Sequence, residues 1–315
     1  MNDEFNKKVF VRDIKREFNL TQVSGDEDSL SRWVIAPDVN RPGLELAGYT
    51  RMNDLKRITV IGNKEIDFIK SLSYEVQRQR FDTITDGYTP CIVVTAGNEA
   101  PEALIELARH KNFPLFTTKE RTHRFTIQVI AYLDECLAPF DSVHAVMMNI
   151  HGVGVLLRGE SGVGKSEIAL DLIHRGHMLV ADDRVDIFRI HNDLVCKAPE
   201  LLKNMIEIRG VGVLDLSLAF GPTSTLDRSG LDLVIDLVSY DPDAQIDRLG
   251  LDNKQTIDIL GITKPVMKIP VKEGRAMSVI VESAVANYRL LERGYDSGEI
   301  FNKRVIEFIN KNREF

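Results

Sequence analysis

The chain is poor in cysteine and tryptophan, and none of its 315 residues fall in a long apolar run. Each shortage excludes something. The three cysteines, Cys91, Cys136 and Cys196, form no CxxC pair and leave one thiol over. Reduced, buried thiols of a cytoplasmic protein are expected, not a disulfide scaffold or a cysteine-held metal. No stretch approaches the ~18 consecutive apolar residues of a spanning helix. The opening residues, MNDEFNKKVF, carry neither an apolar core segment nor a small-residue cleavage site, so no secretory signal is expected. Positive charge is in deficit: 40 Lys and Arg stand against 47 Asp and Glu, a formal net charge of −7. That balance argues against nonspecific nucleic-acid binding and against an anionic membrane surface. Internal repeats, low-complexity tracts and a helix-turn-helix signature are missing. So are the HRD, DFG and VAIK segments of protein kinases.

What remains is ordinary globular composition, 43% hydrophobic and 28% charged, with length for about two domains at roughly 150 residues each. Residues 57–62 (RITVIG), 90–97 (PCIVVTAG) and 112–117 (NFPLFT) read as short strands. Residues 101–111 and 121–136 read as helices, the second with Phe125, Val129 and Leu133 on one face. Strands alternating with helices imply a mostly parallel sheet. Residues 137–142 (LAPFDS) mark a plausible boundary. The expected organisation is an N-terminal α/β domain over residues 1–136, with a regulatory or assembly role, and a second domain over residues 137–315. That second part opens with two adjacent buried strands in residues 144–157. It closes on two helices, one carrying Met277, Val281, Ala284, Tyr288 and Leu291, the other Phe301, Val305, Phe308 and Ile309. Their stripes are expected to pack on their own core, the commoner case, rather than to dock a partner.

The strongest signal is GESGVGKS at residues 159–166, a full match to GxxxxGK[ST]. Residues 153–157 before it read as a strand. Ser166 to Arg175 read as a helix with Ile168, Leu172 and Ile173 on one face and Gly176 just past its end. Gly159, Gly162 and Gly164 let backbone N–H groups converge on phosphate oxygens, and Glu160, Ser161 and Val163 complete the loop. The helix N-terminus adds partial positive charge. Lys165 is expected at the β- and γ-phosphates and Ser166 on Mg²⁺.

A phosphate loop specifies a nucleotide, not a reaction. Two carboxylate pairs compete for the chemistry. Asp182 and Asp183 end the strand that follows the loop's helix, where one can serve a metal and the other take a proton. A charged turn would show the same pair. Asp232 and Asp236 lie in LDLVIDLV, whose alternation predicts a half-exposed antiparallel strand with solvated carboxylates. His174 and His177 are three apart, but Gly176 lies between them and no neighbouring ligand completes a set. They are expected to be solvated or to cap a helix end.

Residues 143–176 and the following HMLVADDRVDIFRI resemble the HPr kinase/phosphorylase family. So do MIEIRGVGVLDL (205–216), DRLGLD (247–252), PVKEGR (270–275), ESAVANYRL (282–290) and RPGLELAGY (41–49). The resemblance implies a P-loop core similar to phosphoenolpyruvate carboxykinase and a cytoplasmic hexamer. It implies phosphorylation of a seryl residue of HPr with ATP, or with pyrophosphate, and reversal by phosphorolysis that releases pyrophosphate. That activity serves carbon catabolite repression and sugar uptake, under fructose 1,6-bisphosphate and phosphate as effectors.

By the same resemblance Asp183 is the general base of both directions, Glu207 a metal ligand, and His144 and Arg248 complete the active site with Lys165. Ile206, Glu207, Ile208, Arg209, Gly210, Val211 and Gly212 form the signature segment. Pro270, Val271, Lys272, Glu273, Gly274 and Arg275 form the loop tied to dephosphorylation. Read from residue type alone, His144 looks like a core histidine and Arg248 like a surface ion pair.

The chain departs from the family pattern at three places. Leu214 and Asp215 replace Ile–Asn, Lys272 and Glu273 stand where Arg–Pro is expected, and Ala145 stands for Gly. Lacking the fixed φ of proline and gaining a negative charge, the altered loop is expected to be more mobile and to handle phosphate less well. Two other readings stay open, a P-loop kinase of small molecules and a non-enzymatic nucleotide-sensing regulator.

Overall fold

The computed structural model describes residues 7–49, 55–240, 255–272 and 274–311. The chain divides into two compact units, Met1–Ala138 and Pro139–Phe315.

The strands of the first unit are β1 (Val9–Phe10), β2 (Thr21–Ser24), β3 (Trp33–Val34), β4 (Val39–Asn40), β5 (Ile58–Ile61), β6 (Ile92–Val94) and β7 (Leu115–Thr117). Its helices are α1 (Val11–Glu17), α2 (Gly43–Ala47), α3 (Asn63–Lys70), α4 (Tyr74–Ile84), α5 (Glu102–His110) and α6 (Thr122–Leu137). Five strands form one sheet in the order β2-β7-β6-β5-β4. Every pairing in it is parallel except β2 with β7. The central strands are almost wholly apolar, with Thr59 and Thr117 the polar residues among them, because helices cover both faces. Phe125, Val129 and Leu133 of α6 pack with α1 on one face, and α3, α4 and α5 fill the other.

The second unit holds β8 (Phe140–His144), β9 (Val146–Ile150), β10 (Val153–Gly159), β11 (Met178–Ala181), β12 (Arg184–Ile190) and β13 (Asp193–Lys197). After them come β14 (Met205–Ile208), β15 (Gly212–Asp215), β16 (Ser229–Gly230), β17 (Leu233–Ser239), β18 (Gln255–Ile259) and β19 (Ile262–Val271). Four helices complete it: α7 (Lys165–His174), α8 (Leu216–Phe220), α9 (Met277–Glu292) and α10 (Ser297–Lys311). Six strands run β11-β9-β10-β17-β19-β18, four run β16-β13-β12-β8, and β14 pairs β15 alone. Helices α7 and α9 cover one face of the larger sheet. The smaller sheet contributes Val185, Ile187, Leu194 and Cys196 to the core on the other face.

Three expectations are corrected. Strand β17 is central and parallel to both neighbours, β10 and β19, not half-exposed and antiparallel. Its alternation is genuine, but its carboxylates are paired rather than solvated. Asp236 stands opposite Arg158 in the register and is held by it at 2.8 and 3.0 Å. Asp232 accepts from the Gly154 N–H at 2.8 Å. His177 is buried and bonded to Glu282, neither solvated nor a cap. The apolar stripe of the last helix is exposed: Phe301, Val305, Phe308 and Ile309 all face outward. Among the described residues no helix is long and apolar enough to cross a membrane.

Candidate functional site

The site grows from the end of β10. That strand is buried between β9 and β17, so its last residues are rigidly placed. Beyond it the chain turns sharply into α7. Gly162 and Gly164 take φ of 81° and 95°, a left-handed backbone that glycine adopts without a Cβ clash. Gly164 is the N-cap of α7 and has no side chain to satisfy the first-turn amides. An uncapped helix start attracts anions. Lys165 is only 7% exposed. Its ammonium curls back over the loop and donates to the Gly159 and Glu160 carbonyls at 2.9 and 3.0 Å.

The second wall comes from the β11–β12 turn. Asp182 is buried, and its carboxylate accepts from Ser166 Oγ at 3.0 and 3.1 Å and from the Glu207 N–H at 3.1 Å. Burial pushes its carboxyl above the ordinary range. The bonds from Glu207 and Ser166 pull the other way, and the neighbouring charge of Asp183 adds to the rise. Asp183 faces outward, its side chain 64% exposed, and His144 Nδ1 lies 2.9 Å from its Oδ1. At Asp183 φ is 66°, and the Arg184 N–H donates to the Asp182 carbonyl at 2.8 Å. A bond from residue i+2 to residue i across a positive-φ centre is a γ-turn, a rare and strained bend. Strain of this kind persists where the surroundings enforce it and clusters at functional positions.

The third wall is the β14–β15 hairpin. Ile206 and Ile208 point into the core with α7 and α9. The strand period therefore sends Glu207 to the opposite face. Glu207 and Arg209 line a cavity of about 430 Å³ together with His144, Ser161, Lys165, Asp182 and Asp183. Ser166 and Glu167 close its floor.

Four carboxylates thus meet Lys165 and Arg209 around one space. The donor set beside Ser166 is all oxygen, which suits a hard cation such as Mg²⁺ better than a zinc-class ion.

The structure brings together His144, Ser161, Gly162, Gly164, Lys165, Ser166, Asp183, Glu207 and Arg209. Gly159 and Glu160 contribute carbonyls to Lys165, and Val163 packs against the core. Gly210, Val211 and Gly212 lie in the hairpin bend, with Val211 exposed. His144 is exposed and paired, not a core residue. Pro270 and Val271 end β19, Lys272 Nζ sits 4.6 Å above the Tyr240 ring, and the Arg275 N–H donates to the Lys272 carbonyl. The described residues of this loop, Gly274 included, do not line the cavity. Arg248 and Glu273 lie outside the described residues.

Sequence reasoning paired Asp182 with Asp183 but gave Asp182 no residue of its own to hold. Its grip on Ser166 becomes visible only when β11 is laid beside α7. Glu167 was missed although it directly follows the motif.

The model for the HPr serine kinase C-terminal domain matches residues 135–305, and that for the HPr serine kinase N terminus matches residues 9–133. The HPr kinase/phosphorylase of Geobacillus thermodenitrificans is 40% identical over 305 residues, 96% of this chain and 98% of that protein. The HPr kinase/phosphorylase of Streptococcus sanguinis is 37% identical over 305 residues, with the same coverage of 96% and 98%. Among solved structures, the Hpr(Ser) kinase/phosphatase from Coxiella burnetii aligns with a TM-score of 0.47 at 35% identity. It covers 51% of this chain and 98% of that one.

Proposed function

The chain belongs to the HPr serine kinase family, and we infer from that membership and from the cavity's geometry that it moves a phosphoryl group between a nucleotide and a seryl hydroxyl of HPr. The observation that carries this reading is the division of labour in one dipeptide. Asp182 is buried and grips the loop hydroxyl, while Asp183 stands exposed at the mouth.

In this reading the phosphates of ATP lie over residues 159–166 on the amides that open α7. Lys165 leaves the carbonyls it holds and meets the β- and γ-phosphates. Ser166, Asp182 and Glu207 supply oxygens for Mg²⁺, which when bound offsets phosphate charge. Asp183 takes the seryl proton as the hydroxyl attacks, and His144 fixes the orientation of its carboxylate. In the reverse direction an oxygen of inorganic phosphate attacks the phosphorus of phosphoserine, the bond from phosphorus to the serine oxygen breaks, protonated Asp183 gives that oxygen its proton, and pyrophosphate is the product. Arg209 faces the developing phosphate charge with a two-pronged guanidinium, and Arg248 serves the same charge. Residues 270–275 govern the reverse direction.

The second domain expected from the sequence, residues 137–315, is in this reading a P-loop core like that of phosphoenolpyruvate carboxykinase. The first, residues 1–136, serves regulation or assembly. The whole works as a cytoplasmic hexamer in carbon catabolite repression and sugar uptake, under fructose 1,6-bisphosphate and phosphate. Pyrophosphate is a second donor.

The experiment is transfer from labelled ATP with Mg²⁺ to purified HPr, followed by addition of phosphate. Seryl labelling that phosphate then removes, with pyrophosphate released, is the expected result. Transfer without reversal would trace to Lys272 and Glu273, and a Lys272→Arg, Glu273→Pro double change should then restore it. Tight ATP binding with no transfer would overturn the reading in favour of a regulator. Asp183→Asn should keep ATP binding and slow both directions by about 10²- to 10⁴-fold, the usual worth of general-base assistance. A variant with near-normal rates would remove Asp183 from the base role.

A further inference from the structure

A second cluster of ligating side chains lies at the other end of β10. That strand has seven residues, so its two ends are about 20 Å apart at strand rise, and the cluster is separate from the phosphate cavity. His151 sits in the two-residue bend between β9 and β10, where His151 and Gly152 take φ of 52° and 85°. These left-handed values make a tight hairpin turn, and Asn149 Oδ1 pins it by accepting the Gly152 N–H at 3.1 Å. His177 precedes β11 and is 4% exposed. Its backbone N–H donates to the Leu172 carbonyl, which fixes it under α7. Glu282 lies midway along α9.

The three side chains converge. His177 Nε2 and Glu282 Oε1 are 2.8 Å apart, and the rings of His151 and His177 meet edge to face with centroids 4.6 Å apart. One ligand atom from each residue lies within 4.8 Å of the others. Arg175 Nη1 holds the second oxygen, Glu282 Oε2, at 3.1 Å, and its Nε lies 3.6 Å from Asp171. This leaves Oε1 facing the histidines and balances the guanidinium between two carboxylates.

We propose that His151, His177 and Glu282 form a binding site for a divalent transition cation of the zinc class. Two imidazoles and a carboxylate are a known zinc ligand set with one position open, and they suit zinc better than magnesium. At metal–ligand distances of about 2.0–2.1 Å, tetrahedral ligand atoms stand roughly 3.4 Å apart. His177 and Glu282 need to part by only about half an ångström, the ring proton of His177 passing to its other nitrogen. The exposed His151 swings in to close the longer spans. Occupied, the site ties the β9–β10 turn, the start of β11 and α9 to one ion. Arg175 and the packing around His177 act as the supporting shell.

The test uses the full chain, stripped with a chelator and kept in saturating Mg²⁺ and nucleotide so that the phosphate cavity is filled. Zinc is titrated against a chromophoric chelator, and thermal unfolding is followed in parallel. One zinc equivalent should bind and raise the melting temperature by several degrees at about a hundredfold excess over Kd. His151→Ala, an exposed turn substitution that leaves His177 and Glu282 in place, should weaken that equivalent at least 10- to 100-fold and abolish the thermal shift. Glu282→Gln keeps a hydrogen-bonding group beside His177 and should lose affinity as well. Zinc bound equally by the parent and His151→Ala chains, or no thermal shift in the parent, would overturn the proposal. Loss of HPr phosphorylation is not a readout here, so failure of the functional reading and failure of this site are distinguishable.

Discussion

Both units start a helix at a glycine after a parallel strand, in the first unit at once and in the second across a short loop, yet only one of these two helix starts is open. In the first unit β5 ends at Ile61, Gly62 follows, and α3 begins. The Gly62 N–H donates to Glu65 Oε2 at 3.0 Å, and Arg41 Nη2 grips both oxygens of the same carboxylate at 2.7 Å. The helix start is thus filled by the chain's own anion, itself neutralised. In the second unit β10 ends at Gly159 and α7 begins after Gly164, whose missing side chain leaves the amides free. Lysine there holds only carbonyls. Similar backbone logic yields a structural joint in one place and an uncapped helix start, suited to an anion, in the other. Both helices carry a glutamate in the first turn, Glu65 and Glu167; the difference is that Glu65 folds back onto the Gly62 N–H and Arg41, whereas no side chain caps the start of α7.

That contrast can be broken from either side. The largest effect is expected from Lys165→Ala, which should cut phosphoryl transfer by about 10²- to 10³-fold, as loss of a preorganised charge contact does. Unfolding by heat should hardly change, because the lysine bonds only carbonyls that water can reach. A large loss of stability would mean that Lys165 is a structural clamp.

Glu65→Gln should do the converse, lowering stability by about 1–2 kcal/mol through a weakened cap and an unpaired Arg41, with transfer unchanged. Burial raises the Glu65 carboxyl, but the bonds from Arg41 and Gly62 prevail and hold it below the ordinary value. Its contribution is therefore fully present above the ordinary glutamate range and is lost as pH falls through the lowered value. Scans across pH should show the stability gap between parent and variant closing toward acid. A gap that widened would refute the ion-pair account.

The smallest effect separates the units by thiol chemistry. Cys91 and Cys196 are both buried, and burial pushes each thiol up to about 12. Native alkylation should spare both. In Glu65→Gln, labelling of Cys91 should quicken while that of Cys196 stays slow. Equal acceleration would show that the two units open together.

Much of this was legible in the sequence. The apolar runs at 57–62 and 90–97 and the i, i+4, i+8 spacing of Phe125, Val129 and Leu133 report burial directly, and burial is what the fold needs there. The strand–loop–helix around Lys165 was legible because its motif is contiguous. The failures share a cause, which is that chemistry completed by a distant partner leaves no local trace. Asp236 read as solvated because Arg158 lies 78 positions away. His177 read as a surface residue because Glu282 comes 105 positions later. The alternation along β17 suggested a wet face, whereas the face opposite the helices carries the ion-paired Asp236 beside Val234, which is buried in the core under the smaller sheet.

The γ-turn at Asp183 has a mechanical consequence. It joins β11, an edge of the six-stranded sheet, to β12, a member of the four-stranded one, with only two residues, Asp182 and Asp183. Asp182 is bolted to the floor of the cavity through Ser166, while His144 on β8 travels with β12. The β8–β9 step at Ala145 links the same two sheets, and its N–H donates to the Asp183 carbonyl at 3.3 Å, so sliding of one sheet across the other is taken up at these two adjoining steps. The position of Asp183 over the phosphate loop acts as a gauge of inter-sheet alignment. A substitution deep in that interface, such as one at Val185 or Met147, should therefore shift the mouth of the cavity as well as the core.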